Sequence, residues 1–180
     1  MNLIKTRIEG LFLIEPEVFR DDRGYFFESF QKEKFLALGI DADFVQDNES
    51  MSGKGVLRGL HFQKPPFAQG KLVRVVRGSV LDVAVDLRKS SETYGKWESS
   101  VLSAANKLML WIPESFAHGF LVMEDDTIFQ YKCTNYYNKE FEAGIIWNDT
   151  DLKINWGIQN PLVSKKDLQG GLFGDLKSPF

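Results

Sequence analysis

Residues 71–88 read KLVRVVRGSVLDVAVDLR, two apolar, β-branched runs on either side of Gly78-Ser79. Valine dominates both runs, and its branched Cβ favours extended backbone. Gly first in a two-residue connection fits a type II′ turn. The stretch is therefore expected to be a β-hairpin in which Arg77 faces Val80, Val75 faces Asp82 and Val73 faces Ala84. Alternation with period two then places Lys71, Val73, Val75, Val80, Asp82 and Ala84 on one face. If that face is interior, Lys71 and Asp82 lie inside as an ion pair; if it is solvated, Lys71 is a surface residue. The pattern leaves both readings open.

The same texture extends along the chain. LFLIEPEVF (11–19), GYFFESF (24–30), DFVQDN (43–48), VLRGLHFQ (56–63), WESSVLS (97–103), MLWIP (109–113), GFLVM (119–123) and TIFQYKCTNYY (127–137) are short, rich in β-branched and aromatic residues, and separated by Gly, Pro, Asp or Ser. About ten such segments, spaced near ten residues apart, predict an all-β double-sheet fold: a jelly roll, sandwich or small barrel. Only Gln31–Leu38 and the polar stretch after Ser164 have helical character, so one or two short peripheral helices are expected. With 180 residues and no linker or repeat, a single domain over 1–180 is the expectation.

Composition narrows the function. The hydrophobic share of 43% is enough for a real core, and the 15 Phe must fill that core or line a pocket. A net charge of −3 gives no general basic character for nucleic acid, so an anionic ligand would need a local set of Arg and Lys. Cys133 is the only cysteine, which excludes an internal disulfide and a Cys-based zinc cluster and fits a reducing compartment. The opening MNLIKTRIEG lacks the apolar core of a signal peptide, and no run approaches a membrane span. A cytoplasmic protein without membrane partners is expected. No GxGxxG or GxxxxGK follows a strand, so phosphate must be held by side chains.

Several polar residues sit on faces that should be buried. In TIFQYKCTNYY, Phe129, Tyr131 and Cys133 share a face, so the Tyr131 phenol needs a partner or a task. A tyrosine bonded to a backbone carbonyl and a functional one both fit. In VLRGLHFQ, strict alternation sends Arg58 and His61 to opposite faces, and only a bulge at Gly59 would bring both to one side. His118, in IPESFAHGF, is placed at a strand start. The two histidines are isolated and no HxH exists, which argues against a metal centre.

DRGYFFESF, FVQDNES, VLRGLHFQ, QGKLVRVVRGSVLDVAVDLR, WIPESFAHGF, YKCTNYY and SKKD occur in this order from residue 22 to residue 167. Together they resemble the dTDP-4-dehydrorhamnose 3,5-epimerase family of sugar-nucleotide epimerases. The resemblance implies a cupin-type jelly roll that needs no metal or cofactor and works as a homodimer. It implies conversion of dTDP-4-dehydro-6-deoxy-D-glucose to dTDP-4-dehydro-L-rhamnose. It assigns His61 as general base, Asp167 as the carboxylate orienting it, Tyr131 as general acid and Lys71 as the group beside the C4 carbonyl. It carries substrate contacts to Arg23, Glu28, Gln46, Asn48, Arg58, His118, Glu142 and Lys166, and a thymine-stacking role to Tyr137. The tail GGLFGDLKSPF carries no motif of this kind.

The chemistry suits these residue types. A proton on C3 or C5 is acidified by the C4 ketone, and the enolate left by its removal needs a nearby cation. Imidazole, with a free pKa of about 6.5, is a workable base near neutrality, and a carboxylate on its other nitrogen fixes the tautomer. Inversion requires a second proton donor on the opposite face, which a phenol can supply. Arginines suit a diphosphate because guanidinium binds it bidentately. Gln46 and Asn48, two apart on a strand, share a face and can read a pyrimidine edge. A 3-only or 5-only epimerase of a related deoxysugar is the alternative within the class. A metal-dependent cupin lacks its HxH here, and a non-catalytic sugar-binding jelly roll would have no use for His61, Lys71, Tyr131 and Asp167 together.

Overall fold

In chain order the strands are β1 (Asn2–Lys5), β2 (Phe12–Glu15), β3 (Phe19–Asp21), β4 (Gly24–Phe26), β5 (Gln46–Ser52), β6 (Val56–Gln63) and β7 (Lys71–Arg77). There follow β8 (Ser79–Asp86), β9 (Trp97–Ser103), β10 (Met109–Ile112), β11 (Phe116–Val122), β12 (Thr127–Cys133), β13 (Glu142–Gly144) and β14 (Leu162–Val163). This computed structural model describes residues 1–180. One helix, α1 (Lys32–Ala37), lies between β4 and β5, and a 3-10 turn spans Asp167–Gln169. Both occupy the helical stretches expected. Gln31 caps α1, its side chain accepting from the Lys34 N–H. β6 and β9 begin and end with the segments read from sequence. β1, β13 and β14 have too few residues to show a pattern.

Two sheets face each other. The first runs β1-β2-β10-β7-β12-β5 and the second β13-β6-β11-β8-β9, with β14 added parallel to β6. Successive strands cross between them: β6 lies in the second, β7 in the first, β8 and β9 in the second, β10 in the first, β11 in the second and β12 in the first. This is the double-sheet jelly roll of the cupin type.

The hairpin expected at residues 71–88 is not formed. β7 pairs with β10 and β12, whereas β8 pairs with β9 and β11. Gly78, with φ of +77°, is the corner at which the chain leaves one sheet for the other. The expectation failed on pairing and held on facing. Alternation sets which way side chains point, whatever strand lies alongside. Val73, Val75, Val80 and Ala84 accordingly meet in the core between the sheets, with Leu110, Phe120 and Phe129. The solvated reading of that face is excluded.

Both sheets are also covered outside. Leu57, Leu60, Phe62, Val83 and Val85 pack under the C-terminal segment, where Trp156 is buried. Ile14, Leu72 and Met109 pack under α1 and the loop after it, through Phe35 and Ile40. Burying a Phe35-sized side chain contributes about 1.5–3 kcal/mol. Burial on both faces is why β8 reads as a near-continuous apolar run, with Asp82 and Asp86 fully buried in it. Asp86 is satisfied by Arg88, whose Nε and Nη2 donate at 2.8 and 2.7 Å, and by the Ser91 and Thr93 hydroxyls.

Candidate active site

The site starts from a fault in β6. His61 pairs with His118 and Arg58 with Phe120, so Gly59 and Leu60 together oppose Gly119. This bulge resets the alternation. Leu57, Leu60 and Phe62 all reach the outer layer, while Arg58 and His61, three residues apart, both line the space between the sheets. Gly59 has φ of +122° and the Gly59–Leu60 peptide is cis. A Cβ on Gly59 would stand 2.5 Å from Gly119 Cα and 2.7 Å from the His118 carbonyl oxygen. Gly59 therefore has both the conformation and the contact that demand glycine.

The space is a cavity of about 600 Å³. Arg58, His61 and His118 enter it from the second sheet, Lys71 and Tyr131 from the first, and Lys166 and Asp167 from the C-terminal segment. It adjoins a smaller recess of about 270 Å³ bounded by Gln46, Asn48, Cys133 and Tyr137. His61, Lys71, Tyr131 and Glu142 border both.

His61 Nε2 lies 2.7 Å from Asp167 Oδ1. The other Asp167 oxygen accepts the Gly59 N–H at 3.2 Å, so one carboxylate holds both the imidazole and the bulge that turns it inward. Asp167 is nearly buried, which favours its neutral form. The hydrogen bond and charge of His61 outweigh this, with the Gly59 N–H adding to them, and hold its pKa below the usual carboxylate range. With Nε2 engaged, Nδ1 is the His61 atom left for a substrate.

Tyr131 points inward as its alternation predicted and packs on the core beside Phe129. Its phenol has no hydrogen-bond partner in the protein, and burial pushes its pKa up, so it stays protonated at neutral pH. The backbone-bonded reading of this tyrosine is excluded. Lys71 likewise has no ion pair. Burial pushes its pKa down, and the charges of Cys133, Asp82 and Glu142 oppose that.

The expected Lys71–Asp82 pair is absent. Asp82 is 0% exposed, and both its oxygens lie 3.0 Å from His118 Nε2. On the second sheet His118 is opposite Ala84, which makes it the diagonal neighbour of Asp82. Lys71 belongs to the other sheet. The misassignment follows directly from the hairpin that does not form.

The remaining expected contacts divide. Arg58 donates only to Ser52 Oγ, at 3.3 Å from Nε and 3.0 Å from Nη2, and has no carboxylate partner. Gln46 and Asn48 do share a face, joined at 2.9 Å. The Tyr137 backbone N–H donates to Gln46 Oε1 at 3.0 Å and its hydroxyl to Glu142 Oε2 at 2.8 Å, with Lys166 on the other Glu142 oxygen. Burial raises the Glu142 pKa, but the bonds from Lys166 and Tyr137 leave it below the usual value. Arg23 and Glu28 do not reach the cavity. Arg23, at the β3–β4 turn, pairs with Asp21 at 2.6 Å, and Glu28 pairs with Lys34. Sequence reasoning missed Cys133, whose inward face was legible, and the Asp82–His118 pair, which was not.

No three His, Cys, Asp or Glu side chains converge as a metal site would require. The arrangement is an imidazole with its carboxylate on one wall, and an unpaired lysine amine and a protonated phenol on the other. Unpaired guanidinium lies nearby. Such a site can take a proton from one side of a bound anionic molecule and return one from the other. The fold and site thus define a cupin-type isomerase.

The chain belongs to the dTDP-4-dehydrorhamnose 3,5-epimerase family, whose model matches residues 5–175. It is 57% identical over 176 residues to the dTDP-4-dehydrorhamnose 3,5-epimerase of Shigella flexneri, covering 97% of each chain. The crystal structure of the Elizabethkingia anophelis enzyme of that name superposes with a TM-score of 0.94 at 50% identity, over 99% of this chain and 98% of that one. A dTDP-6-deoxy-D-glucose-3,5-epimerase from Legionella pneumophila, solved in complex with dTDP-4-keto-L-rhamnose, gives 0.94 at 47% identity, over 98% and 94%. No helix of the chain is long and apolar enough to cross a membrane.

Proposed function

We propose that this chain is a dTDP-4-dehydrorhamnose 3,5-epimerase, converting dTDP-4-dehydro-6-deoxy-D-glucose to dTDP-4-dehydro-L-rhamnose. The observation that carries the reading is the placement of His61–Asp167 and of Tyr131 with Lys71 on opposite walls of one cavity. His61 Nδ1 takes the proton from C3 and from C5 in separate rounds, each acidified by the C4 ketone, and releases it to solvent between them. Asp167 keeps the ring proton on Nε2 and stabilises the imidazolium that forms. The electron pair moves to the C4 oxygen, where the Lys71 ammonium stabilises the enolate. Tyr131 delivers a proton to the opposite face of the carbon, inverting it, and recovers one from solvent through the cavity mouth. Arg58 holds diphosphate oxygens. Gln46, Asn48 and Tyr137 take the thymine, and His118, Glu142 and Lys166 contact the rest of the substrate.

The working form is a homodimer. Arg23 and Glu28 are too far from their own cavity to serve it and reach a second copy's instead. Two features support this. The β3–β4 hairpin that carries Arg23 exposes Phe19, Tyr25 and Phe26, at 56%, 52% and 64%. β5 leaves the edge of the first sheet unpaired, with Met51 exposed on it. The whole chain acts as one epimerase domain, in the cytoplasm, where its lone thiol stays reduced.

Incubation with the substrate in D₂O, followed by NMR, tests the reading. Deuterium at both C3 and C5 with appearance of the L-sugar is expected. Label at one carbon would make this a mono-epimerase, and label at neither would end the catalytic reading.

A further inference from the structure

His118 carries a second imidazole–carboxylate pair, on the strand next to His61 and directly opposite it. The Asp82 side chain is completely buried and has no hydrogen-bond partner other than His118 Nε2. Both carboxylate oxygens converge on this one ring nitrogen as acceptors, so the ring proton of a neutral His118 sits on Nε2. The ring is held flat against Phe129, with centroids 6.1 Å apart and planes inclined by 21°. Nδ1 then carries a bare lone pair. It has no partner in the protein, yet no polar side-chain atom in the chain is both fully buried and unpartnered. Nδ1 therefore reaches open space, and the open space His118 lines is the cavity. Burial lowers the His118 pKa, and the charges of Lys71 and His61 lower it further against Asp82, which keeps the ring neutral.

We propose that Asp82 is a positioning residue that locks His118 as the Nε2–H tautomer, so that Nδ1 is a hydrogen-bond acceptor specific for a hydroxyl of the sugar ring. An acceptor at this point rejects carbonyl and phosphate oxygens, which are acceptors themselves. It rewards only a group that can donate, and in a 4-keto-6-deoxy sugar nucleotide those are the ring hydroxyls at C2 and C3. The pair thus contributes to substrate orientation: it holds a hydroxyl on the His118 side and leaves the ketone for Lys71. This rests on the epimerase reading above for the identity of the sugar, but the tautomer does not.

The two histidines make the test tractable. Long-range ¹⁵N–¹H correlation of the ¹⁵N-His-labelled protein, assigned with His61→Asn, should show His118 protonated on Nε2 and bare on Nδ1. In Asp82→Asn the carboxamide can donate to Nε2 as well as accept from it, so the Nε2–H tautomer is no longer enforced and a ring with its proton on Nδ1, a donor where the acceptor was, becomes populated. KM should then rise roughly 5- to 150-fold, the factor for an unsatisfied buried hydrogen bond, with kcat changed far less. Wild-type protein should lose a similar factor in affinity for either the 2-deoxy or the 3-deoxy dTDP-sugar, and Asp82→Asn should lose nothing more on that analogue. A proton on Nδ1 in the wild type would overturn the proposal. So would an equal loss by Asp82→Asn on the parent sugar and both analogues, which marks a merely structural role. Should Asp82→Asn fail to fold, the wild-type tautomer and analogue series still decide. If wild-type protein exchanges no substrate proton, the epimerase reading fails, while the tautomer and the binding of deoxy analogues still judge this one.

Discussion

Replacing Gly59 by Ala adds one methyl group and should damage both the fold and the chemistry. The new Cβ would meet only backbone: Gly119 Cα at 2.5 Å, the His118 carbonyl oxygen at 2.7 Å and the Gly119 nitrogen at 3.3 Å. None of these can swing aside as a side-chain terminus could. The φ of +122° adds strain for any residue with a Cβ, of order 1–3 kcal/mol. Overpacking adds about 1–3 kcal/mol more. Together these reach roughly 2–6 kcal/mol, a large part of the 5–15 kcal/mol that stabilises an ordinary domain. The chain can relieve the clash only by moving β6 from β11. That breaks the register between His61 and His118 and pulls the Gly59 N–H from Asp167. A shift of about 1 Å in His61 is enough to lower turnover roughly a hundredfold. Urea denaturation and solvent deuterium exchange into the substrate measure the two effects. Wild-type stability together with wild-type exchange would refute the claim that the bulge builds the site.

Three further outcomes are expected. Tyr131→Phe should slow formation of the inverted product while leaving some proton abstraction at C3, and it should cost little stability, because the hydroxyl has no protein partner to lose; unchanged product formation would remove Tyr131 from the mechanism. Asp86→Ala should destabilise the chain by about 3–5 kcal/mol, since it strands Arg88, Ser91 and Thr93, without changing KM in what survives, as a thermal melt and steady-state kinetics would register. Burial acts to raise the Asp86 pKa, but the bonds from Arg88, Thr93 and Ser91 prevail and bring it to about 2. A lowered folded-state pKa means that this stability is present above the ordinary value of 3.8 and is lost as pH falls towards 2, so the wild type should lose stability across that window faster than Asp86→Ala does. Arg23→Ala and His61→Ala, each impaired alone, should regain roughly a quarter of wild-type activity when mixed and refolded, because half of the dimers then hold one intact site; no recovery would mean that Arg23 does not serve a partner's cavity.

The candidate site was unevenly legible. Tyr131 could be placed inward from Phe129 and Cys133 alone, because alternation is a property of a single strand. Arg58 and His61 could not, since their spacing is wrong for one face and only the close approach of Gly119 shows why Gly59 kinks. Asp167 lies 106 positions from His61, on a short turn without periodicity, and was reachable only through the resemblance of SKKD. Arg23 and Glu28 came by the same route, and a single chain gives them no place at the cavity.

By itself the sequence determined that the protein is built of short strands and that Lys71, Val73, Val75, Val80, Asp82 and Ala84 face one way, but not whether that face is buried. These follow from local sterics and period-two alternation, which need no knowledge of neighbours. Tertiary structure decided which strands lie side by side. Gly78 turns the chain into the opposite sheet instead of back on itself, and that choice gives Asp82 to His118 and leaves Lys71 free. Pairing depends on contacts between residues far apart in the chain, where every β-branched run is a plausible partner for every other. Only the closing of two sheets around one core selects among them.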